Sequence, residues 1–193
     1  MIDNSTRNRF LLACGFELGL LVAAVLLGDL FHRPMSDQLA WHPGDFWLGI
    51  LAALPLLASV LVFLRLNWQP ALNLRRLLKI RICPLFADWS WWQLGVLAVL
   101  AGLGEECFFR GFIQARFVEM GGVELGVLAA SVLFGLLHLV TNAYGVMAAL
   151  IGIYLGGLFV WSGNLLLPIT THAVYDFALL VWLARKRPGD KSA

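Results

Sequence analysis

Charged side chains lie inside one of the most apolar parts of this sequence. Glu105, Glu106 and Arg110 belong to the segment LGEECFFRGF. On a helix, Glu106 and Arg110 share a face four residues apart and can neutralise each other, whereas Glu105 points about 100° away. The spacing predicts one paired, structural carboxylate and one that is free for chemistry. The alternative is that all three charges only hold helices together.

Two histidines and an aspartate lie on other apolar segments. His138 ends FGLLH, one turn after Phe134, and His172 begins HAVYD, one turn before Asp176. A lone histidine on an apolar helix is more often a packing residue. Two histidines with Glu105 and an aspartate, on three helices, are instead expected to converge on one wet cavity.

These residue types support three kinds of chemistry. A carboxylate in an apolar site is a competent general base for water, and histidine can orient that water or protonate a leaving group. The remaining polar pair could stabilise an oxyanion. Glu105, His138, His172 and Asp176 are also an acceptable zinc set, although no HExxH motif demands a metal. A proton or ion path is the third reading, since it uses the same side chains.

The composition predicts an all-α polytopic membrane protein. The chain has 193 residues, of which 60% are hydrophobic and 13% charged, and its mean hydropathy is +0.80. A soluble domain of this size cannot bury that much apolar surface. The net charge of +2 gives no reason to expect a nucleic-acid partner, so the expected partners are the lipid bilayer and a membrane-associated peptide or protein. Six spans are predicted: Phe10–Leu30, Phe46–Leu64, Trp91–Phe117, Val123–Val140, Tyr144–Trp161 and Leu165–Ala184.

Basic residues predict the orientation and the division of the chain. They cluster before the first span, between spans two and three, and after the sixth, so all three segments fall on one side. By the positive-inside rule, both termini are expected in the cytoplasm. We divide the chain into two spans with a basic amphipathic connector (1–90), a four-helix catalytic core (91–184) and a basic tail (185–193). Residue counting along the predicted spans places His172 deeper in the membrane than His138. Either the two spans are offset along the membrane normal, or their true bounds differ from the predicted ones.

The three polar motifs resemble those of the CPBP family, which includes the CAAX prenyl endopeptidases and the Abi proteins. That family carries EExxxR, FxxxH and HxxxN/D motifs on successive membrane helices. Here they read EECFFR from Glu105, FGLLH from Phe134 and HAVYD from His172. Each motif alone is weak, but their order and their placement in spans are specific. The resemblance covers roughly residues 91–184.

The resemblance implies intramembrane proteolysis, with Glu105 activating water and His138 assisting. His172 and residue 176 would stabilise the oxyanion, while Glu106, Arg110 and Phe134 would support the site. Asp176 departs from the Asn of the prenyl-protein proteases, and a carboxylate cannot donate a hydrogen bond unless protonated. That difference reopens a base or metal-ligand role for Asp176. We expect no metal, with zinc as the alternative.

The implied substrate class stays open. The chain lacks two spans of the eukaryotic type, so the resemblance implies a short prokaryotic member, expected in a bacterial inner membrane. Such members process prenylated tails, bacteriocins or C-terminal sorting signals. The competing functions are a non-catalytic immunity or scaffolding protein and a proton-coupled transporter. The intact set of Glu105, His138 and His172 argues against the first, and the absence of inverted repeats argues against the second.

Overall fold

The computed structural model describes residues 4–185, which are helical, with no strand among them. The predicted tail beyond residue 185 lies outside the described residues. Five of the six long helices are single segments: α1 (Asn4–Leu30), α2 (Pro43–Arg65), α5 (Val123–Leu137), α6 (Asn142–Ser162) and α7 (Leu166–Arg185). The sixth, α4, consists of three consecutive helical segments, Trp91–Glu106, Cys107–Gln114 and Ala115–Gly121. Between α2 and α4 lies a connector, α3, made of Gln69–Leu77, Leu78–Ile82 and Cys83–Phe86.

The helices confirm a polytopic membrane protein. By length and apolar composition, α1, α2, α6 and α7 can each cross a membrane. Helix α4 runs from Trp91 to Gly121 without a break and begins with the predicted capping box of Ser90 and Gln93. Its Cys107–Gln114 segment is π-helical, a geometry that occurs mostly as short bulges, frequently at functional sites.

Helix α5 is shorter than the predicted span. It has 15 residues and ends at Leu137, so it covers about 22 Å, less than the roughly 30 Å of a hydrocarbon core. His138 therefore caps a helix that stops at membrane depth. The early end of α5 explains why residue counting placed His138 too close to the surface relative to His172.

The three basic segments meet at one end of the bundle. Phe10, near the start of α1, packs edge-to-face on Trp89, with ring centroids 5.4 Å apart. Ala184, near the end of α7, joins the same apolar cluster. The Arg185 guanidinium lies 4.5 Å from the Trp91 ring centroid. The N-terminus, the connector and the C-terminal end of α7 therefore share one end, which we call the basic end.

Polar contacts tie the loops together at the opposite end. Glu119, in the last turn of α4, pairs with both Arg33 and Arg116. Asn164, just before α7, donates to the Ala40 carbonyl and to Asp45. These contacts connect the α1–α2 loop to the far ends of α4 and α7.

The helices that carry the polar motifs pack at very short range. A Cβ on Gly102 of α4 would lie 2.8 Å from the Ile169 carbonyl of α7. Pro168 is fully buried in the first turn of α7, and this helix continues unbroken to Arg185. Proline suits a first turn, where backbone N–H groups lack helical partners anyway. Pro168 therefore begins α7 and does not break it.

Candidate active site

Glu105 lies between two histidines from other helices. Its Oε1 is 3.9 Å from His138 Nε2, and its Oε2 is 3.8 Å from His172 Nε2. Both distances exceed a direct hydrogen bond, so the three groups surround a space rather than closing on one another. Glu105 is 8% exposed and His172 is 4% exposed. The structure thus brings together three side chains that the sequence separates by up to 67 positions.

Glu106 and Arg110 form the predicted ion pair. Arg110 Nη1 donates to Glu106 Oε1 at 2.7 Å, and both side chains are fully buried. Arg110 Nη2 also donates to the Gly152 carbonyl of α6 at 3.2 Å, and its guanidinium lies 4.8 Å from the Phe134 ring centroid. A buried charge needs this combination of a partner, hydrogen bonds and packing. The arginine therefore joins α4, α5 and α6 directly behind the site.

Glu106 has a second contact that its spacing in the sequence could not reveal. Its Oε1 also lies 2.7 Å from His172 Nδ1. A carboxylate accepts, so Nδ1 carries the proton, and the Nε2 atom is turned toward Glu105. Glu106 therefore orients an imidazole of the site as well as pairing with Arg110.

His138 is held by the end of its own helix. Its Nδ1 lies 2.8 Å from the Phe134 carbonyl, which can only accept, so Nδ1 carries the proton. In the neutral ring, Nε2 then presents a lone pair toward Glu105. The imidazole stacks on the Phe134 ring, with centroids 4.3 Å apart. Phe134 thus fixes this histidine through both its carbonyl and its ring.

Asp176 lies on the open side of the site. Its Oδ2 is 3.6 Å from His172 Nε2, and its side chain is 28% exposed. Among the site residues His138 and Asp176 both line a cavity of about 370 Å³. Asp176 thus contacts His172 at the end of this cavity.

Residues 87–178 match the family model described as Type II CAAX prenyl endopeptidase Rce1-like. The chain carries an Rce1-like region. The resemblance predicted from the three motifs is therefore confirmed for this region. All seven predicted site and support residues lie inside the matched range: Glu105, Glu106, Arg110, Phe134, His138, His172 and Asp176.

One relative extends beyond this region. The chain is 27% identical over 175 residues to the uncharacterised protein YpbD of Bacillus subtilis (strain 168), covering 83% of this chain and 82% of that protein. No solved structure matches the chain. The Rce1-like assignment supports a CAAX-type protease that is an integral membrane protein.

The donors around Glu105 do not form a ready-made metal site among the described residues. A catalytic zinc site needs three protein ligands at about 2.0–2.3 Å from one ion. Within residues 4–185, no three His, Cys, Asp or Glu side chains are grouped in that way.

Sequence reasoning missed one polar residue near the site and left another without a role. Gln114, one turn after Arg110, donates to the Gly156 carbonyl of α6 at 3.2 Å. Arg110 and Gln114 thus reach the carbonyls of Gly152 and Gly156, a GxxxG pair whose spacing indicates close helix packing. Glu17 of α1, an acid inside the first apolar run, is buried against α4. Its place in that run indicates a purpose but not which helix it meets.

Proposed function

We propose that the protein is an intramembrane endopeptidase in which Glu105 activates the attacking water. The observation that carries this proposal is the position of Glu105, within 4 Å of one nitrogen from each of two histidines on α5 and α7. A water molecule in the space between them would touch a base on one side and imidazole nitrogens on the others. Carboxylate and imidazole groups so placed are efficient in proton transfer.

The proton movements can be assigned to atoms. Glu105 takes a proton from water as its oxygen attacks the peptide carbonyl, and the His138 Nε2 lone pair holds the water's other hydrogen. His172, with both nitrogens protonated beside Asp176, donates from Nε2 to the oxyanion. Collapse of the intermediate breaks the C–N bond, and the proton on Glu105 passes to the leaving amine. Asp176 in this scheme keeps His172 charged rather than donating a hydrogen bond itself.

The cavities support a membrane-embedded substrate. The cavity that reaches His138 and Asp176 is lined mainly by apolar side chains of α2, α3, α6 and α7. Met147 lines this cavity and also a wider cleft of about 940 Å³ between α2, α3 and α6. A peptide arriving from the bilayer could follow this apolar route to the polar residues. The substrate class is a peptide or protein held at the membrane, whether a prenylated tail, a bacteriocin leader or a C-terminal sorting signal.

We place the basic end of the bundle in the cytoplasm of a bacterial cell. Arginine and lysine residues of the N-terminal segment and α3 gather there, which the positive-inside rule assigns to the cytoplasmic face. The connector α3 then lies on the cytoplasmic surface and covers the cavity. Fusion of a reporter enzyme to the Gly163 turn should show the opposite, external location.

The test compares wild type with Glu105→Gln and His138→Ala in the native host after deletion of the chromosomal copy. The new peptide termini in the membrane fraction are identified by mass spectrometry. We expect one or a few peptide termini that are present when the wild-type protein is produced and absent when either variant replaces it. The Glu119→Gln protein, altered in an exposed carboxylate far from the site, serves as the control and should restore them.

Two outcomes would contradict the proposal. If Glu105→Gln and His138→Ala both produce every wild-type terminus, these residues are not catalytic. If no terminus differs between the deleted strain and the wild type, the protein is not a protease, and the non-catalytic immunity or scaffolding function takes its place.

A further inference from the structure

A fourth carboxyl group reaches the site from outside the Rce1-like region. Glu17 lies near the middle of α1, in a segment that the family model does not cover. Glu17 is only 9% exposed. Ionisable side chains near the middle of a membrane helix usually serve a function. Glu17 is therefore a buried acid that the mechanism above does not use.

A backbone contact fixes where Glu17 meets α4. The Cβ position on Gly104 lies 2.4 Å from the Glu17 carbonyl and 3.4 Å from its Oε2. A side chain on residue 104 could not fit there, so glycine lets α1 and α4 touch directly. The next residue in α4 is Glu105. The two helices thus hold the Glu17 carboxyl beside the residue that we propose as the base.

The Glu17 carboxyl has a buried oxygen without a partner of its own. Its Oε2 is buried and has no hydrogen-bond partner among the described residues, and the same is true of Glu105 Oε2. In such apolar surroundings a charge on Glu17 acts at longer range than in water, and the groups within its reach are Glu105 and, on α7, His172 and Asp176. Among the described residues, Glu17 makes no ion pair.

We propose that Glu17 is a positioning carboxylate that increases the basicity of Glu105 through its negative charge. This inference rests on the proposed function of Glu105. A like charge nearby disfavours ionised Glu105 and so makes it a stronger acceptor for the proton of water. The same negative charge stabilises the imidazolium of His172 as it faces the oxyanion. Glu17 touches no reacting atom in this scheme.

The competing explanation is that Glu17 only packs α1 against α4. That explanation predicts that glutamine, which has nearly the same shape, replaces it without effect on chemistry. Glutamine removes the charge and keeps the volume, whereas aspartate keeps the charge and shortens the side chain. The two substitutions therefore separate charge from packing.

The experiment measures peptide hydrolysis by purified wild type, Glu17→Gln, Glu17→Asp and Glu105→Gln. The probe is a fluorogenic peptide that spans a cleavage site found from the membrane termini, with a farnesylated CAAX-type peptide as the first one tried. At a pH where Glu105 is ionised in both proteins, we expect Glu17→Gln to lower kcat by up to about tenfold, the limit in which the rate follows one pK unit of base strength one for one, with KM unchanged. Glu17→Asp should recover most of the rate. Cys14→Ala, one turn away on the same helix, should leave kcat unchanged.

A second measurement needs no substrate. Dicyclohexylcarbodiimide modifies protonated carboxyl groups in apolar surroundings, and mass spectrometry reports the extent at Glu105. A neighbouring negative charge favours protonated Glu105, so we expect slower modification of Glu105 in Glu17→Gln than in wild type or Glu17→Asp.

The outcomes distinguish the inference from the function on which it rests. Wild-type kcat and wild-type modification in Glu17→Gln, with Glu105→Gln inactive, would overturn the role of Glu17 alone. An equal loss of kcat in Glu17→Gln and Glu17→Asp, with lower thermal stability in both, would also overturn it in favour of packing. Full activity of Glu105→Gln would instead overturn the proposed function.

Discussion

The protein contains two sets of arginine–glutamate contacts that differ in burial. Arg110 and Glu106 are fully buried behind the site, whereas Glu119 and its two arginine partners, Arg33 and Arg116, keep between 31% and 45% of their side chains exposed. The first set lies at the centre of the bundle and the second at the end opposite the basic end. Residue type and helical spacing are similar, so the surroundings decide what each set does.

The buried set has no water to replace a lost partner. Arg110 bonds to Glu106 and to the Gly152 carbonyl, and Glu106 in turn orients His172. Removing one member leaves another charged and unpaired in an apolar interior. The exposed set ties a loop to a helix end, and solvent replaces whatever is removed. We therefore expect the buried contacts to control folding and the exposed contacts to be nearly dispensable.

The largest expected effect on stability comes from Arg110→Ala. It leaves Glu106 buried without its cation, so the free energy of unfolding should fall by about 3–5 kcal/mol. Arg116→Ala, on the same helix but in the exposed set, is the matched control and should cost at most about 1 kcal/mol. Thermal unfolding of both purified proteins in detergent measures the difference. Equal stability of the two variants would show that burial does not separate the two sets.

A smaller effect should follow from Gly104→Ala. The new methyl group would lie 2.4 Å from the Glu17 carbonyl, where backbone must move, and overpacking of this kind costs about 1–3 kcal/mol. Gly95→Ala is the control on the same helix, because its nearest neighbour would be the Phe177 side chain at 3.7 Å, an ordinary contact. If Gly104→Ala unfolds at the same temperature as Gly95→Ala, the packing of α1 against α4 at residue 104 is not as tight as the short contact indicates.

The sequence predicted the chemical parts of the site but not their connections. The pairing of Glu106 with Arg110 follows from helical spacing, and apolar runs located the six helices. The contact between Glu106 and His172 joins residues 66 positions apart, and no local pattern encodes it. The early end of α5 and the contact of Glu17 with Gly104 depend on how whole helices pack. Local periodicity reveals which face a residue is on, but not which helix it meets.

The smallest expected effect is that of Glu119→Gln. The hydrogen bond from Arg33 holds the pKa of Glu119 below its ordinary value. The contribution of this contact is therefore present above the ordinary carboxyl pKa and is lost as the pH falls through the lowered pKa. The melting temperatures of wild type and Glu119→Gln should differ slightly at neutral pH and converge on acidification. A difference that grows at low pH would contradict this assignment.

The most direct test of the account compares Glu105→Gln with Arg110→Ala in two assays on the same preparations. One assay is the rate of peptide cleavage, and the other is the midpoint of thermal unfolding. We predict that Glu105→Gln unfolds like wild type and cleaves about 10²–10⁴-fold more slowly, as expected for loss of a general base. Arg110→Ala should unfold at a lower temperature than wild type, and any loss of cleavage should follow from that loss of stability. A Glu105→Gln protein that cleaves at the wild-type rate, or an inactive Arg110→Ala protein as stable as wild type, would contradict the division between the two neighbouring carboxylates.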